Sequence, residues 1–307
     1  MIARIPQPRT RPDPLLSVWP AGELDGYDQL AEGRYVPETA QDVGRMPPAI
    51  AAHAITAYTR PGDTVVDPDC GAGTVLVEAL RLNRGAVGLT GHRRWWPVAR
   101  ANVTAAKHDG ATPDGMVLDH PPAAAAARLA ALVGHVGLVL FSLRPAPAGH
   151  QRIPAETDGG RAPYDAVARL REALNAFRPL VRPGGHIIVT VRPQRHRGHL
   201  LDLTGQAHRA AHAAGLVPVE RCVALLAELR GDRLVLKAPL AQRRRAVRHA
   251  RATGHPIALT AHLDVLVLRV AHAAAAADAV RPLHPLPTPH HRAAECFGHD
   301  DLLREAA

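Results

Sequence analysis

The strongest chemical signal in the chain is a glycine-containing loop that joins a short apolar run to a helical stretch. The loop reads Asp67-Pro68-Asp69-Cys70-Gly71-Ala72-Gly73, and Thr74 opens the stretch that follows. This pattern predicts a strand, a tight turn and a helix N-terminus, the arrangement that receives an adenosyl cofactor at the edge of an α/β sheet. Glycines let the backbone approach a ligand closely, and the free N–H groups at a helix start attract a carboxylate.

The flanks of the loop make the signal more specific. Arg45-Met46-Pro47-Pro48 leads into an apolar helix before the loop, and residues 85–89 form a second strand pattern after it. With these flanks the chain resembles the S-adenosylmethionine (SAM)-dependent amino-methyltransferases of DNA, in particular actinobacterial members, over roughly residues 33–270. The resemblance implies SAM as the cofactor and methyl transfer to the exocyclic amine of adenine or cytosine. A dinucleotide-type fold without SAM specificity is the alternative interpretation.

The resemblance also implies a set of cofactor-binding residues. Asp67 would lie near the methionine end of SAM, Gly71 and Gly73 would give the close backbone approach, and Asp119 would contact the adenine amine. Cys70 is interpreted as a small packing residue rather than a nucleophile. The complete predicted set is Arg45, Met46, Asp67, Pro68, Cys70, Gly71, Gly73, Thr74, Thr90 and Asp119.

Two of the positions expected at the cofactor depart from the family pattern. Thr90 stands where the family has an acid that accepts both ribose hydroxyls, and Asp42-Val43 stands where it usually has a His-Pro pair. A charged hydrogen bond contributes about 1.5–3 kcal/mol. The missing acid therefore predicts roughly ten- to hundredfold weaker SAM binding unless another group compensates.

The predicted catalytic loop follows the fourth strand. In the family this loop holds Asp, Asn or Ser, then two prolines and an aromatic residue. The side-chain oxygen and the first proline's carbonyl accept the hydrogens of the amine, and the aromatic ring stacks on the flipped base. Here the sequence is Ser142-Leu143-Arg144-Pro145, without a following aromatic. We assign Ser142, Leu143 and Pro145 to catalysis and regard the motif as degenerate.

A second segment, Asp119-His120-Pro121-Pro122, is superficially closer to the catalytic motif. It follows the third strand, however, which lies on the adenine side of the cofactor and away from the methyl group. We therefore interpret the match as a coincidence.

The charge of the chain favours a polyanionic partner. The formal net charge is +9 and the sequence pI is about 10.4, which is typical of nucleic-acid-binding proteins. Only two lysines occur among the 37 basic residues, so a general preference for arginine explains part of the charge. Arg243, Arg244, Arg245 and Arg248 form a basic patch that either contacts phosphates or is a solvated helix face. Arg144 is a further candidate for nucleic-acid contact.

Alternating strand and helix patterns predict an α/β fold. Strand patterns cover residues 64–67, 86–90, 116–119, 138–142, 186–192, 217–229 and 262–270, and helical patterns cover 48–58, 74–81, 95–108, 123–133, 164–181 and 201–214. These predict a Rossmann-like, seven-stranded, mostly parallel sheet with an antiparallel last strand and helices on both faces. Residues 1–34 are predicted to be a flexible Pro/Arg-rich leader with one short ordered segment near Trp19, 35–270 the methyltransferase domain, and 271–307 a disordered tail.

Composition limits the remaining possibilities. Three cysteines without paired spacing and the lack of an apolar stretch of roughly 18 residues predict a cytoplasmic protein without a membrane span. The histidines of the tail fit no standard zinc spacing, so no metal is predicted. The leading hypothesis is a SAM-dependent methyltransferase of nucleic acid, with DNA favoured over RNA. The alternatives are a degenerate member that serves as a binding or partner subunit, and a methyltransferase for RNA or a small molecule.

Overall fold

The strands that carry the predicted cofactor and catalytic loops lie at the centre of one large sheet. The computed structural model describes residues 14–121, 126–144, 162–196, 199–238 and 240–270. Its strands are β1 (Val18–Trp19), β2 (Thr64–Asp67), β3 (Gly85–Leu89), β4 (Gly115–Leu118), β5 (Val136–Ser142), β6 (Val181–Val191), β7 (Arg195–His196), β8 (His199–Leu200), β9 (Leu216–Leu225), β10 (Glu228–Arg230), β11 (Arg233–Val235) and β12 (His262–Val270).

The helices occupy the connections between these strands. They are α1 (Gly26–Glu32), α2 (Pro48–Tyr58), α3 (Thr74–Arg81), α4 (Trp95–His108), α5 (Ala162–Phe177), α6 (Leu203–Ala213) and α7 (Leu240–Thr253). Short 3₁₀ segments cover Pro37–Gln41, Ala126–Leu132 and Arg178–Leu180. None of the helices in the described ranges is long and apolar enough to cross a membrane.

The large sheet has the strand order β1-β9-β12-β6-β5-β2-β3-β4. Neighbours from β4 through β6 are parallel, whereas β12 is antiparallel to both β6 and β9. The predicted α/β fold with an antiparallel last strand is therefore confirmed. Buried residues alternate between the two faces, since Val65 joins the cluster under α2, α3 and α4 and Val66 joins the cluster under α5 and α6. Helices thus cover both faces, as predicted.

The described part of the predicted leader is ordered, and it adds an eighth strand to the seven expected. β1 pairs in parallel with β9, and the side chain of Trp19 is 1% exposed. Its ring lies 4.6 Å from that of His53 and 6.4 Å from that of Tyr58, both on α2. Because a buried tryptophan contributes a large apolar area, this contact holds residues 14–34 against the sheet. The ordered segment expected near Trp19 is therefore present, and α1 extends the ordered part further along the leader than the sequence predicts.

Several element predictions differ in detail from the structure. The strand predicted at 186–192 begins already at Val181, and the helix predicted at 164–181 ends at Phe177. The helix predicted at 123–133 is a 3₁₀ segment over Ala126–Leu132, and the strand predicted at 217–229 ends at Leu225. A separate hairpin of β10 and β11 follows. The predicted tail at 271–307 lies outside the described residues.

Candidate functional site

The glycine loop has the predicted strand–turn–helix geometry. It joins the end of β2 to the start of α3, and both Gly71 (φ +50°) and Gly73 (φ +85°) have left-handed backbones. Gly73 also faces α4, where a Cβ would lie 3.1 Å from the Cβ of Ala99. Glycine is therefore required at position 73 both for its backbone conformation and for close helix packing.

A buried ion pair joins two of the three segments in which the sequence departs from the family pattern. The Nη1 atom of Arg144 lies 2.8 Å from Oδ1 of Asp42, and Nη2 lies 3.1 Å from Oδ2. The two side chains are 14% and 3% exposed. The carboxylate of Asp42 also accepts the backbone N–H groups of Gly44 at 3.1 Å and Ala72 at 2.9 Å. A bidentate arrangement with these additional hydrogen bonds fixes both side chains.

The Asp42–Arg144 pair lies directly against Gly71. A Cβ atom placed on Gly71 would collide with Oδ2 of Asp42 and with both terminal nitrogens of Arg144. The space beside this glycine is therefore filled by the ion pair. Although burial disfavours the cation, the charges of Asp42 and Asp69 raise the pKa of Arg144. The predicted contact of Arg144 with nucleic acid stays a prediction, and it would require the guanidinium to leave Asp42, which binds both of its terminal nitrogens.

Asp67 lies at the end of β2 and is 3% exposed. Its Oδ1 accepts the N–H of Asp69 at 3.0 Å. Burial raises the pKa of Asp67 to about 8, against the opposing charge of Arg144. At neutral pH the side chain is therefore mostly a neutral acid.

This raised pKa predicts a specific pH dependence. The folded state holds a proton that the unfolded chain releases near pH 4, so the stability that this proton contributes is complete below pH 4 and lost as pH rises through 8. Asp67→Asn mimics the protonated form and should remove this dependence. Urea unfolding at pH 5 and pH 8 should show the variant gaining stability relative to the wild type at the higher pH. An unchanged difference between the two proteins would contradict the pKa shift.

The end of β3 carries no carboxylate at the predicted ribose position. Thr90 is 1% exposed, its Oγ1 accepts the N–H of His92 at 3.3 Å, and its own N–H donates to Leu118 at 3.0 Å. The hydroxyl is thus committed to a local turn. Asp119 follows β4 and is exposed, so its carboxylate is free to meet solvent or a ligand. Its predicted contact with adenine stays a prediction.

The first two residues of the predicted catalytic loop are held by β6. The hydroxyl groups of Ser142 and Thr190 lie 2.8 Å apart, and the N–H of Leu143 donates to the carbonyl of Thr190 at 2.8 Å. The side chain of Leu143 is 7% exposed and joins the apolar cluster under α5 and α6. Pro145 lies outside the described residues. Ser142 therefore offers the hydroxyl of this loop, and its catalytic role stays a prediction.

The entry segment before α2 has two different roles. The carbonyl of Met46 accepts the hydroxyl of Thr74 at 2.9 Å, which ties the segment to the start of α3. The guanidinium of Arg45 instead donates to the carbonyls of Ala40, Asp42 and Gly26, and its side chain lines a cavity that contains none of the glycine-loop residues. Its predicted contact with the cofactor is therefore not favoured by this geometry.

The remaining predicted residues support the loop or lie on the surface. Pro68 is buried, and Cys70 is 1% exposed with its N–H bonded to the carbonyl of Leu89. Burial raises the pKa of the Cys70 thiol, which agrees with a packing role. On α7, Arg243 donates to the carbonyls of Leu236 and Ala238. Arg244 and Arg248 are exposed, and the side chain of Arg245 lies outside the described residues.

Asn102 is a site-organising residue that sequence reasoning missed. It is 1% exposed, and its Nδ2 donates to Oγ1 of Thr39 at 2.7 Å and to the carbonyl of Ala72 at 2.8 Å. Its Oδ1 accepts the N–H of Val36 at 2.9 Å. One amide thus joins α4, the glycine loop and the segment before α2. The sequence feature that could have identified Asn102 is its polar side chain on the apolar face of α4, beside Ala99 and Val103.

Comparison with known proteins supports the resemblance in the N-terminal part of the chain. A family model described as DNA methylase matches residues 7–94, a range that includes the glycine loop and β3. The match confirms the predicted resemblance to DNA methyltransferases and supports a SAM-dependent methyltransferase. A search of curated proteins found no match.

Several solved structures have a similar arrangement of strands and helices. Precorrin-6y C5,15-methyltransferase from Geobacter metallireducens is 13% identical, with a TM-score of 0.47 over 82% of this chain and 98% of that one. A geranyl diphosphate methyltransferase in complex with SAM is 14% identical, with a TM-score of 0.44 over 82% and 98%. Magnesium protoporphyrin IX methyltransferase from Synechocystis PCC 6803, with bound SAM, is 12% identical, with a TM-score of 0.41 over 78% and 81%. These similarities are too low to indicate a substrate or an activity.

The glycine loop fits SAM in part. The left-handed glycines and the first turn of α3 provide the backbone N–H groups that a carboxylate binds. The Asp42–Arg144 pair, however, fills the position beside Gly71. Direct contact between a ligand and Gly71 therefore requires the guanidinium of Arg144 to move.

Proposed function

We propose that this chain is a SAM-dependent methyltransferase of nucleic acid, and that its substrate is an exocyclic amine of a DNA base. The observation that carries the proposal is the strand–turn–helix loop between β2 and α3, whose left-handed glycines lead into the first turn of α3 within the DNA methylase match. The net charge of +9 supports an anionic substrate.

The residues of the site have distinct proposed roles. When bound, SAM supplies the electrophilic methyl group. The glycine loop and the start of α3 hold its amino-acid end, and Asp67 closes the pocket at the end of β2. Ser142, at the matching edge of β5, accepts a hydrogen of the amine through its hydroxyl oxygen. Since this hydroxyl also pairs with Thr190, it is already oriented before substrate binds.

Transfer of tritium from labelled SAM tests this function. The purified protein is incubated with DNA, with RNA and with free nucleotides, and label is expected in DNA. Asp67→Ala should abolish the transfer, whereas Asp232→Ala removes a carboxylate that is 94% exposed and should leave it unchanged. Lack of label in all three substrates would contradict the proposal. Label in RNA alone would show that the substrate is RNA rather than DNA.

A second candidate function is a methyltransferase-fold subunit that binds a partner or ligand without transferring a methyl group. It is favoured by the anchoring of the catalytic loop, where Leu143 is buried and Arg144 is paired with Asp42. Calorimetric titration with SAM and its demethylated product separates the two functions. Binding without transfer to any of the three substrates would support this second candidate.

A further inference from the structure

A cationic cavity lies at the same sheet edge as the glycine loop. Its volume is about 180 Å³, several times the ~30 Å³ of a water molecule in the liquid. Three of its lining residues lie at strand ends. Arg192 follows β6, Leu226 follows β9, and Thr260 precedes β12. Because β12 runs antiparallel to β6 and β9, these three positions meet at the carboxyl edge of the parallel strands, where α/β sheets bind ligands.

Three cations and one carboxylate line the cavity. The cations are Arg45, Arg192 and Lys237, and the carboxylate is Asp25. Asp25 is the N-cap of α1, where its Oδ1 accepts the N–H groups of Tyr27 and Asp28 at 2.9 Å. The only acid of the lining is therefore engaged with the start of a helix. Lys237 lies 3.5 Å from Oδ2 of Asp28, outside the lining, so the excess of positive charge rests on the two arginines.

Neither arginine forms an ion pair within the described residues, although the nearby charge of Asp42 opposes the effect of burial on the pKa of Arg45. Arg45 uses its terminal nitrogens on the backbone carbonyls of Ala40, Asp42 and Gly26, which fixes its guanidinium. Arg192 makes no hydrogen bond or ion pair in the described part of the chain. Although the residue is exposed, the surrounding protein atoms and the charge of Arg45 lower the pKa of Arg192. Two close cations without an acid between them would be stabilised by a bound anion.

The cavity is bordered by the start of α7, which carries a basic face. Gln242 of this helix lines the cavity, and the next residue, Arg243, donates to the carbonyls of Leu236 and Ala238 beside it. Arg244 and Arg248 follow on the exposed surface of the helix. A single anion in the cavity would thus lie at one end of a row of positive charges, as successive phosphates of a nucleic-acid backbone do.

We propose that Arg45, Arg192 and Lys237 form a phosphate-binding subsite that holds the DNA backbone beside the reaction centre, with α7 extending the contact. This site deepens the proposed function and rests on DNA as its substrate. It assigns Arg45 to the substrate rather than to the cofactor. The phosphate positions the duplex without reading its sequence, because backbone contacts are the same for every base.

The test is the salt dependence of DNA binding. Binding of a short fluorescein-labelled DNA duplex is measured by anisotropy over a series of salt concentrations, without SAM. Loss of one phosphate contact reduces the slope of log K against log salt by about 0.9. Arg192→Gln should weaken binding at low salt and lower the slope by this amount, and Lys237→Gln should act in the same direction. Arg209→Gln removes an equal charge from a 67% exposed side chain that does not line the cavity, and should leave the slope unchanged.

The outcomes separate the subsite from the catalytic proposal. An unchanged slope in Arg192→Gln, or equal loss in Arg192→Gln and Arg209→Gln, would overturn the subsite even if methyl transfer is observed. Failure of the wild type to bind DNA would overturn it as well. Conversely, a slope that depends on Arg192 in a protein that transfers no methyl group would support the subsite and contradict the enzyme.

Discussion

Gly71→Ala should lower the free energy of unfolding by about 3 kcal/mol or more, because the new Cβ would add both backbone strain and a steric collision. The backbone at Gly71 is left-handed, which costs a residue with a Cβ about 1–3 kcal/mol. The Cβ would also collide with the buried Asp42–Arg144 pair, and forcing extra atoms into a packed site costs typically 1–3 kcal/mol. Urea unfolding of the wild type and the variant measures the loss.

Gly62→Ala is the matched control for this prediction. Gly62 also has a positive φ (+88°), but no heavy atom lies within 4 Å of the position that a Cβ would take. Its substitution therefore reports the backbone strain alone. Equal losses at the two positions would show that the ion pair does not occupy the space beside Gly71.

Arg144→Ala should destabilise the chain by about 3 kcal/mol and free the space beside the glycine loop. Removing one partner of a buried ion pair leaves the other charge uncompensated, which costs about 3–5 kcal/mol. The N–H groups of Gly44 and Ala72 still bind Asp42, so we expect the lower end of this range. By contrast, Arg182→Ala breaks the more exposed pair with Asp63, at 36% and 19% exposure, and should cost about 1 kcal/mol or less.

The double variant Asp42→Asn, Arg144→Gln separates the charge from the shape of the pair. Both replacements are neutral and keep most of the hydrogen-bonding atoms, so no uncompensated charge remains. Its stability should be closer to the wild type than that of either single charge-removing variant.

Calorimetry should show that Arg144→Ala binds SAM more tightly than the wild type, since the space beside Gly71 is then open. Weaker binding would mean that Arg144 helps to hold the cofactor instead.

The parts of the fold that were predicted well are those specified locally. Apolar periodicity and the residues at the ends of elements give the observed bounds of α2, α3, α4, β2 and β12. The glycine loop is also local, because the strand, the turn and the helix start follow one another within a few positions. The two-residue strand β1 is too short to show a period, so the sequence indicates an ordered segment near Trp19 but not a strand, which the structure reveals together with the packing of Trp19 against α2.

The arrangement of the site could be predicted only in part because its central contact is non-local. The sequence shows Asp42 and Arg144 as two separate departures from a family pattern, one near the cofactor and one in the catalytic loop. Nothing in the spacing of the two residues shows that they meet. Likewise, Arg45 is next to Met46 in the chain, yet Met46 contacts α3 while Arg45 faces Arg192 across the cavity. Side-chain direction decides such assignments, and it follows from packing rather than from order along the chain.

The ion pair also makes any change at its two positions interdependent. Asp42 and Arg144 are separated by 102 positions, yet each compensates the buried charge of the other. A variant that loses either residue alone keeps an isolated charge beside the glycine loop. Engineering a proline into the loop at position 144 would therefore require a simultaneous change at position 42, so such mutagenesis should begin from both positions together.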